Sequence, residues 1–213
     1  MFKGVLWDFG GVITSSPFEA FNRYEQDHGL PKDFLRSVNA TNPDKNAWAR
    51  LESSQITLDE FDELFAQEAE TKGHRVMGKE ILELLSGEIR PEMVTALTIL
   101  KKTHKIGCIT NNVNVGQGPG MAKTSKKATQ IAEIMKMFDE VVESSKVGIR
   151  KPHTKIYKMT CEKMGLNPEE TIYLDDLGIN LKPARAMGMQ TIKVKSAAQA
   201  LSELEELLGI NLR

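Results

Sequence analysis

Short runs of apolar, mostly β-branched residues recur along the chain, separated by longer stretches in which apolar residues recur every three or four positions. Short apolar runs rich in Val and Ile are typical of buried strands, and the longer spacing is typical of amphipathic helices. Strands are predicted at residues 3–8, 106–110, 138–143, 171–175 and 190–194. Helices are predicted at residues 92–103, 153–164, 180–187 and 196–208. This alternation predicts a three-layer α/β fold around a mainly parallel sheet.

The segment between the first two predicted strands is too long for a single crossover helix, and its pattern is helical throughout. Within it, Thr57 precedes Glu60 by three residues, which is the spacing of a capping box at the start of a helix. We therefore expect a small inserted α-helical cap at residues 17–88. The α/β core would comprise residues 1–16 and 89–213. A loop that is first glycine-rich and then basic is expected at residues 112–127.

Composition narrows the class of protein. The chain has 213 residues, a formal net charge of −1 and 40% hydrophobic residues. A near-neutral charge offers no electrostatic basis for binding nucleic acid, and no apolar run approaches the roughly 20 residues of a membrane span. Cys108 and Cys161 lie inside predicted core elements without a CxxC spacing. We expect a reduced, cytoplasmic protein, and the sequence does not indicate its oligomeric state.

Polar residues lie at or beyond the carboxyl ends of four of the predicted strands, and open α/β sheets bind ligands at these ends. They are Asp8 after the first strand, Thr110 and Asn111 after the second, Lys151 in the segment beyond the third, and Asp175 and Asp176 after the fourth. Hydroxyl, N–H and ammonium groups bind phosphoryl oxygens, whereas carboxylate oxygens hold Mg²⁺. With Mg²⁺ neutralising both partners, Asp8 would be able to attack phosphorus. Each residue alone has an ordinary structural explanation, but their joint order favours a site for a small phosphorylated substrate.

Four segments, WDFGG, CITNN, GIRKP and YLDDLGIN, follow the motif order of the haloacid dehalogenase-like (HAD) hydrolase superfamily, which the chain resembles. More narrowly, VGIRKPHTKIY and LDDLGINLKPARAMGMQTIKV resemble the N-terminal phosphatase domain of soluble epoxide hydrolase and its bacterial relatives. The resemblance implies a Rossmann-like core with a C1-type cap and a Mg²⁺-dependent phosphatase that forms an aspartyl-phosphate. The chain has no GxSxG nucleophile elbow, so epoxide hydrolysis is not implied.

The resemblance also implies roles for the residues that react with or bind the substrate. Asp8 would be the nucleophile. Thr110 and the backbone of Asn111 would hold the phosphoryl oxygens. Lys151 would balance the negative charge of Asp8 and of the phosphate.

The same resemblance implies a metal site built around the first and last motifs. Asp8, the backbone carbonyl of Gly10 and Asp176 would ligate Mg²⁺. Asp175 would complete the catalytic set, either behind the metal ligands or paired with Lys151. Asn180 would orient the acidic loop.

Gly10 departs from the pattern of the phosphatases that the chain resembles. These enzymes commonly carry a second Asp at this position, which protonates the leaving alcohol and then activates water. General acid–base catalysis contributes about 10²–10⁴-fold, so its loss would slow the hydrolysis of alkyl phosphates. Acyl or sugar-1 phosphates, with better leaving groups, would suffer less. Glu19, Glu52 of the cap, or water are candidate replacements.

Two alternative functions follow from the same departure. The chain would be a domain that binds a phosphorylated ligand or a protein partner with little or no turnover. Alternatively it would be a 2-haloacid dehalogenase, because that branch of the superfamily also lacks the second Asp. That branch uses no Mg²⁺ and generally lacks the acidic pair represented here by Asp175 and Asp176, which argues against dehalogenation.

Overall fold

The centre of the fold is a five-stranded sheet, seen in a computed structural model that describes residues 1–114, 121–122 and 124–213. The strands are β1 (Gly4–Trp7), β2 (Lys105–Thr110), β3 (Glu140–Glu143), β4 (Thr171–Asp175) and β5 (Gln190–Lys193). They lie in the order β3-β2-β1-β4-β5, and every neighbouring pair is parallel. The predicted strands and the parallel sheet are confirmed, with small differences at the strand ends.

Between β1 and β2 the chain forms a group of helices with its own apolar cluster. They are α1 (Pro17–Asp27), α2 (Phe34–Ala40), α3 (Ala47–Glu52), α4 (Leu58–Glu70) and α5 (Gly78–Leu82). The cluster combines aliphatic residues with the buried aromatic side chains of Phe21, Phe61 and Phe65. The capping box predicted at Thr57 is confirmed, because Thr57 and Glu60 satisfy each other's backbone N–H groups at the start of α4. The exact division into core and cap remains a prediction.

The remaining helices are α6 (Pro91–Leu100), α7 (Ser125–Met135), α8 (Ser144–Val147), α9 (Thr154–Met164), α10 (Gly178–Ala186) and α11 (Ala197–Leu208). The four helices predicted in this part of the chain are confirmed as α6, α9, α10 and α11. The loop predicted at residues 112–127 is wrong at its end, because α7 begins at Ser125. The Thr124 hydroxyl accepts the Lys127 N–H at 3.3 Å and caps this helix. Residues 115–120 and 123 of that loop lie outside the described residues.

Alternating side chains of the strands build apolar layers on both faces of the sheet. Val5 and Trp7 of β1 pack in a cluster with residues of α6, α7 and α11. Leu6 points to the other face and packs in a cluster with residues of α9 and α10. This period of two is what β geometry requires of a strand buried on both sides, and it gives the three-layer, Rossmann-like α/β fold.

Cys108 and Cys161 are both free thiols and both are buried. Within the described part of the chain, no helix combines the length and apolarity needed to cross a bilayer.

Candidate active site

The site lies where the strand order reverses. The chain runs from β1 to β2 on one side, and β4 later pairs with the other side of β1. In this register Trp7 is opposite Leu174, and the Asp8 N–H donates to the Leu174 carbonyl at 2.8 Å. Asp8 and Asp175 therefore leave neighbouring strands side by side. In open α/β sheets this switch point forms the crevice that binds ligands.

The turn after Asp8 depends on two glycines for different reasons. Gly11 has φ +77°, a conformation that favours glycine, and a Cβ there would overlap the Asp176 carboxylate. Gly10 has φ −68° and ψ 131°, and outside its own turn no atom of residues 1–114, 121–122 or 124–213 lies within 4 Å of the position of its Cβ. The fold therefore requires glycine at Gly11, whereas Gly10 has room for a side chain in ordinary backbone geometry.

Lys151 joins the ends of β1 and β4. Its side chain is only 1% exposed, and Nζ lies 2.8 Å from Asp8 Oδ1 and 2.9 Å from Asp175 Oδ2. Burial disfavours the ammonium, but the charges of Asp175 and Asp8 outweigh it and raise the pKa of Lys151. The Asn111 side chain holds this lysine in place, because its Oδ1 accepts the Lys151 N–H at 2.8 Å and its Nδ2 donates to the Lys151 carbonyl at 3.0 Å.

Asp175 is fully buried, and both of its carboxylate oxygens accept hydrogen bonds. Besides Lys151, the Leu177 N–H donates to Oδ1 at 2.8 Å, and Asn180 Nδ2 lies 3.1 Å from both carboxylate oxygens. The Tyr173 hydroxyl also donates to Oδ2. Of the two positions left open for Asp175, the structure places it against Lys151.

Tyr173 is a site residue that the sequence patterns missed. Its side chain is completely buried, and its ring packs edge-on against Tyr157, whose hydroxyl donates to the Asn180 carbonyl at 2.8 Å. Tyr173 precedes Asp175 by two residues on a strand, so both side chains point to the same face. That alternation was the available signal, but a tyrosine in an apolar strand is indistinguishable by sequence from an ordinary core residue.

Three carboxylates lie close together in the site. One oxygen each from Asp8, Asp175 and Asp176 lies within 4.8 Å of the others, and Asp176 Oδ2 also accepts the Ser16 hydroxyl at 3.1 Å. Burial raises the pKa of Asp8 well above its ordinary value despite the attraction of Lys151. Burial and the charge of Asp175 raise the pKa of Asp176 to about 6.

This cluster fits a hard divalent cation. Three carboxylates face one ammonium, so the group has an excess of two negative charges when all of its members are ionised. Oxygen ligands of this kind are those that Mg²⁺ uses in proteins. The carbonyl of Gly10 lies in the same turn as Asp8, and Thr110, also buried, ends the adjacent strand β2.

The two cap glutamates considered as proton donors have different positions. Glu19 is exposed in the first turn of α1. Glu52 is buried, and its oxygens accept Trp48 Nε1 at 3.0 Å, Arg150 Nε at 2.6 Å and Asn111 Nδ2 at 3.3 Å. Glu52 is therefore engaged by three donors and connects α3 to the segment that carries Lys151.

Arg150 is the second site-flanking residue that the sequence did not reveal. Besides the contact with Glu52, its Nη1 donates to the Pro43 carbonyl at 2.9 Å, so one guanidinium bonds two parts of the inserted segment. Glu52 and Arg150 are 98 residues apart in the chain. No local pattern connects two opposite charges at that separation.

Comparison with known proteins places these features in a family. The family model for haloacid dehalogenase-like hydrolases matches residues 2–188. The chain is 33% identical to bifunctional epoxide hydrolase 2 of Mus musculus over 95% of its own length and 38% of that protein. The chain spans at most 39% of the mammalian relatives that are at least 30% identical to it.

A relative of similar length is a phosphatase. The chain is 26% identical to the glyceraldehyde 3-phosphate phosphatase of Methanocaldococcus jannaschii over 91% of the chain and 85% of that enzyme. Among solved structures, a HAD family enzyme of Bacteroides thetaiotaomicron in complex with magnesium and inorganic phosphate superposes with a TM-score of 0.62. This match has 21% identity and covers 96% of the chain and 99% of that enzyme. At that identity the likeness shows the fold.

Proposed function

Because the chain belongs to the haloacid dehalogenase-like hydrolase family, we propose that it is a Mg²⁺-dependent phosphatase that acts on a small phosphomonoester through an aspartyl-phosphate. The observation that carries this proposal is the position of the Lys151 ammonium, bonded to Asp8 and Asp175 beside a third carboxylate, Asp176. A nucleophilic carboxylate beside a buried cation suits attack on an anionic phosphoryl group. The relatives of the chain include phosphatases.

The proposed reaction has two steps at Asp8. An oxygen of Asp8 forms a bond to phosphorus while the bond from phosphorus to the leaving oxygen breaks. Water then attacks phosphorus, the Asp8–phosphorus bond breaks, and inorganic phosphate leaves with a proton released to solvent. Lys151 favours the ionised form of Asp8 against the effect of burial and attracts the phosphoryl oxygens, and Thr110 and the backbone of Asn111 bind these oxygens.

The metal-binding residues in this proposal are Asp8, the carbonyl of Gly10 and Asp176. When bound there, Mg²⁺ supplies the charge neutralisation that lets an anionic carboxylate approach an anionic phosphate. Asp175 stays behind these ligands, where Asn180, Tyr173 and the Leu177 N–H fix its orientation.

The open space at Gly10 favours a second candidate, a HAD domain that binds a phosphorylated ligand with little or no turnover. The two candidates share the binding site and differ in whether phosphate is released. The three clustered carboxylates form a site that fits a metal ion, whereas dehalogenation of 2-haloacids needs no metal. The cluster therefore argues against a dehalogenase.

The test is Mg²⁺-dependent release of inorganic phosphate from a panel of aryl, acyl, sugar and alkyl phosphates. We expect release with Mg²⁺, none with EDTA, and none from Asp8→Asn. Asp59→Asn, at an exposed carboxylate on α4, is the matched control and should behave like the wild type.

Absence of turnover on every member of the panel, with Mg²⁺ binding shown by calorimetry, would overturn the phosphatase and favour the binding domain. Metal-independent chloride release from a 2-haloacid would overturn it in favour of a dehalogenase.

A further inference from the structure

The space beside Gly10 is open although the fold does not require it to be. Among the described residues, no atom outside its own turn lies within 4 Å of a Cβ at this position, and its φ of −68° and ψ of 131° suit any L-residue. Gly10 follows the proposed nucleophile Asp8 by two residues. Gly10 therefore leaves a position next to the reacting groups without a side chain, although a side chain would fit there.

The ionisable side chains closest to Asp8 are engaged by other groups of the protein. Those that influence it most are Lys151, Asp175 and Asp176. The Lys151 ammonium lies between two carboxylates and donates to both of them, so its protons are held by Asp8 and Asp175. Asp175 is completely buried and is surrounded by donors. Asp176 is a magnesium ligand under the proposed function, on which this inference rests, and its Oδ2 accepts the Ser16 hydroxyl.

A second group of ionisable side chains lies beneath the site. Tyr173 donates its proton to Asp175, and Tyr157 donates to the Asn180 carbonyl. Cys108 is buried with a pKa raised by burial. These protons point into the protein or are held by partners, so none is positioned to reach a leaving group.

The cap and the undescribed loop do not supply an obvious donor. Glu52 is engaged by Trp48, Arg150 and Asn111. Residues 115–120 read VGQGPG and contain no ionisable side chain, and outside the described ranges Lys123 is the single one. None of the described side chains considered above is positioned to give a proton to a departing oxygen.

We propose that this site selects substrates whose leaving group departs as a stable anion: acyl phosphates, and enol or aryl phosphates. In the first step the P–O bond to the leaving group breaks as Asp8 bonds to phosphorus, and the carboxylate, enolate or phenolate takes its proton, where it needs one, from water. An alkoxide is too basic to leave without a proton, and general acid help for such a group is worth about 10²–10⁴-fold.

The lack of a side chain that transfers protons also affects the second step. The aspartyl-phosphate is itself an acyl phosphate, so Asp8 leaves as a carboxylate without needing a proton. The attacking water, however, has no side chain to take its proton, and it must lose that proton to solvent or to a phosphoryl oxygen. Hydrolysis of the aspartyl-phosphate therefore limits turnover of good substrates, which is the condition for a burst of leaving group in the first turnover.

The experiment compares kcat/KM for acetyl phosphate, a series of substituted phenyl phosphates and ethyl phosphate, all with saturating Mg²⁺. Variants are Gly10→Asp, which introduces an acid into the open space, Gly10→Asn, which has the same shape without an acid, and Lys123→Ala. Circular dichroism and melting temperature establish that each variant is folded.

For the wild type we expect kcat/KM to fall steeply as the leaving group becomes more basic, with a burst of phenolate from the best aryl esters. Gly10→Asp should raise kcat/KM for ethyl phosphate about 10²-fold relative to acetyl phosphate. Gly10→Asn should give no such gain, and Lys123→Ala should leave the wild-type selectivity unchanged.

Equal wild-type kcat/KM for ethyl and aryl phosphates would overturn the inference, and this comparison needs no variant. A folded Gly10→Asp with unchanged selectivity, or loss of the wild-type ethyl phosphate activity in Lys123→Ala, would also overturn it. Failure of the proposed function looks different, because the wild type would then release phosphate from neither acetyl phosphate nor any aryl ester.

Discussion

Glu52 accepts a hydrogen bond from Arg150 at 2.6 Å, so a helix of the inserted segment is bonded to the residue directly before Lys151. The pair is largely buried, with side-chain exposures of 10% and 22%. The same carboxylate accepts Asn111 Nδ2, and Asn111 in turn holds the Lys151 backbone. One carboxylate thus couples the inserted helices to the position of the proposed catalytic lysine.

Glu52→Gln tests this coupling. The amide nitrogen would face either the donors of Arg150 and Asn111 or that of Trp48, so we expect the free energy of unfolding to fall by about 1.5–3 kcal/mol. Chemical denaturation measures this loss. Glu63→Gln is the matched control, because Glu63 pairs with Arg75 on the exposed surface of the same segment, where solvent weakens the ion pair, and it should lose less stability than Glu52→Gln. Equal losses in the two variants would show that the Glu52 contact is not special.

Lys151→Met removes the cation shared by Asp8 and Asp175 while keeping an apolar stem of similar length. Two buried carboxylates then lack their partner, and breaking a buried ion pair costs about 3–5 kcal/mol. We expect this loss in urea unfolding near neutral pH, together with loss of phosphate release. Lys158→Met on the exposed face of α9 should change stability by less than about 0.5 kcal/mol. A Lys151→Met protein as stable as the wild type would contradict the proposed charge balance.

Tyr173→Phe removes a single hydrogen bond to a charged group. Because this bond holds Asp175, and Asp175 holds Lys151, we expect a loss of about 1.5–3 kcal/mol in stability and a roughly tenfold fall in kcat, as for other residues that orient a catalytic group. Tyr157→Phe removes a bond to a neutral carbonyl and should cost about 1 kcal/mol without that fall in kcat. Identical kinetics for Tyr173→Phe and the wild type would exclude a positioning role for the hydroxyl.

The carboxylate cluster predicts opposite pH dependences with and without Mg²⁺. Burial raises the pKa of Asp176 from 3.8 to about 6, so between these values the folded protein binds more protons than the unfolded chain. In EDTA the contribution of Asp176 to stability therefore falls as the pH rises from about 4 through about 6. Mg²⁺ binds the ionised carboxylate, so the increase in melting temperature that it causes should grow over the same interval.

Thermal unfolding at about pH 5 and about pH 7.5, with EDTA or with Mg²⁺, measures both effects. Asp176→Asn should weaken the pH dependence in EDTA and reduce the Mg²⁺ increment at the higher pH. A Mg²⁺ increment that is equal at the two pH values in the wild type would contradict binding at this cluster.

Much of the fold could be predicted from the local pattern of apolar and polar residues in the sequence. The strands were recognisable because each lies in a short run rich in apolar and β-branched residues, with β1 and β4 buried throughout, and α4 because Thr57 and Glu60 form its capping box. The grouping of Asp8, Asp175 and Lys151 was predictable in outline, since the carboxyl ends of parallel strands share one edge. The end of the 112–127 loop was missed because the cap at Thr124 depends on a single weak signal before a polar, basic helix start.

The unpredicted features are those that depend on contacts between distant residues. The order of the strands sets Asp8 beside Asp175, and no property of either strand alone specifies it. The need for glycine at Gly11 arises from the Asp176 carboxylate, which belongs to another strand end. The hydrogen bond between Glu52 and Arg150 likewise joins two distant positions. The residues next to each of them in the sequence do not indicate this contact.

The central claim is that Asp8 becomes covalently phosphorylated, and acid quenching followed by mass spectrometry tests it most directly. Wild-type protein mixed with Mg²⁺ and acetyl phosphate, quenched during the first turnovers and digested, should yield the peptide containing Asp8 with the added mass of one phosphoryl group. The added mass should be absent in Asp8→Asn and in EDTA. Phosphate release by the wild type with no phosphoryl group on Asp8 at any quench time, or an equal modification in Asp8→Asn, would contradict the claim.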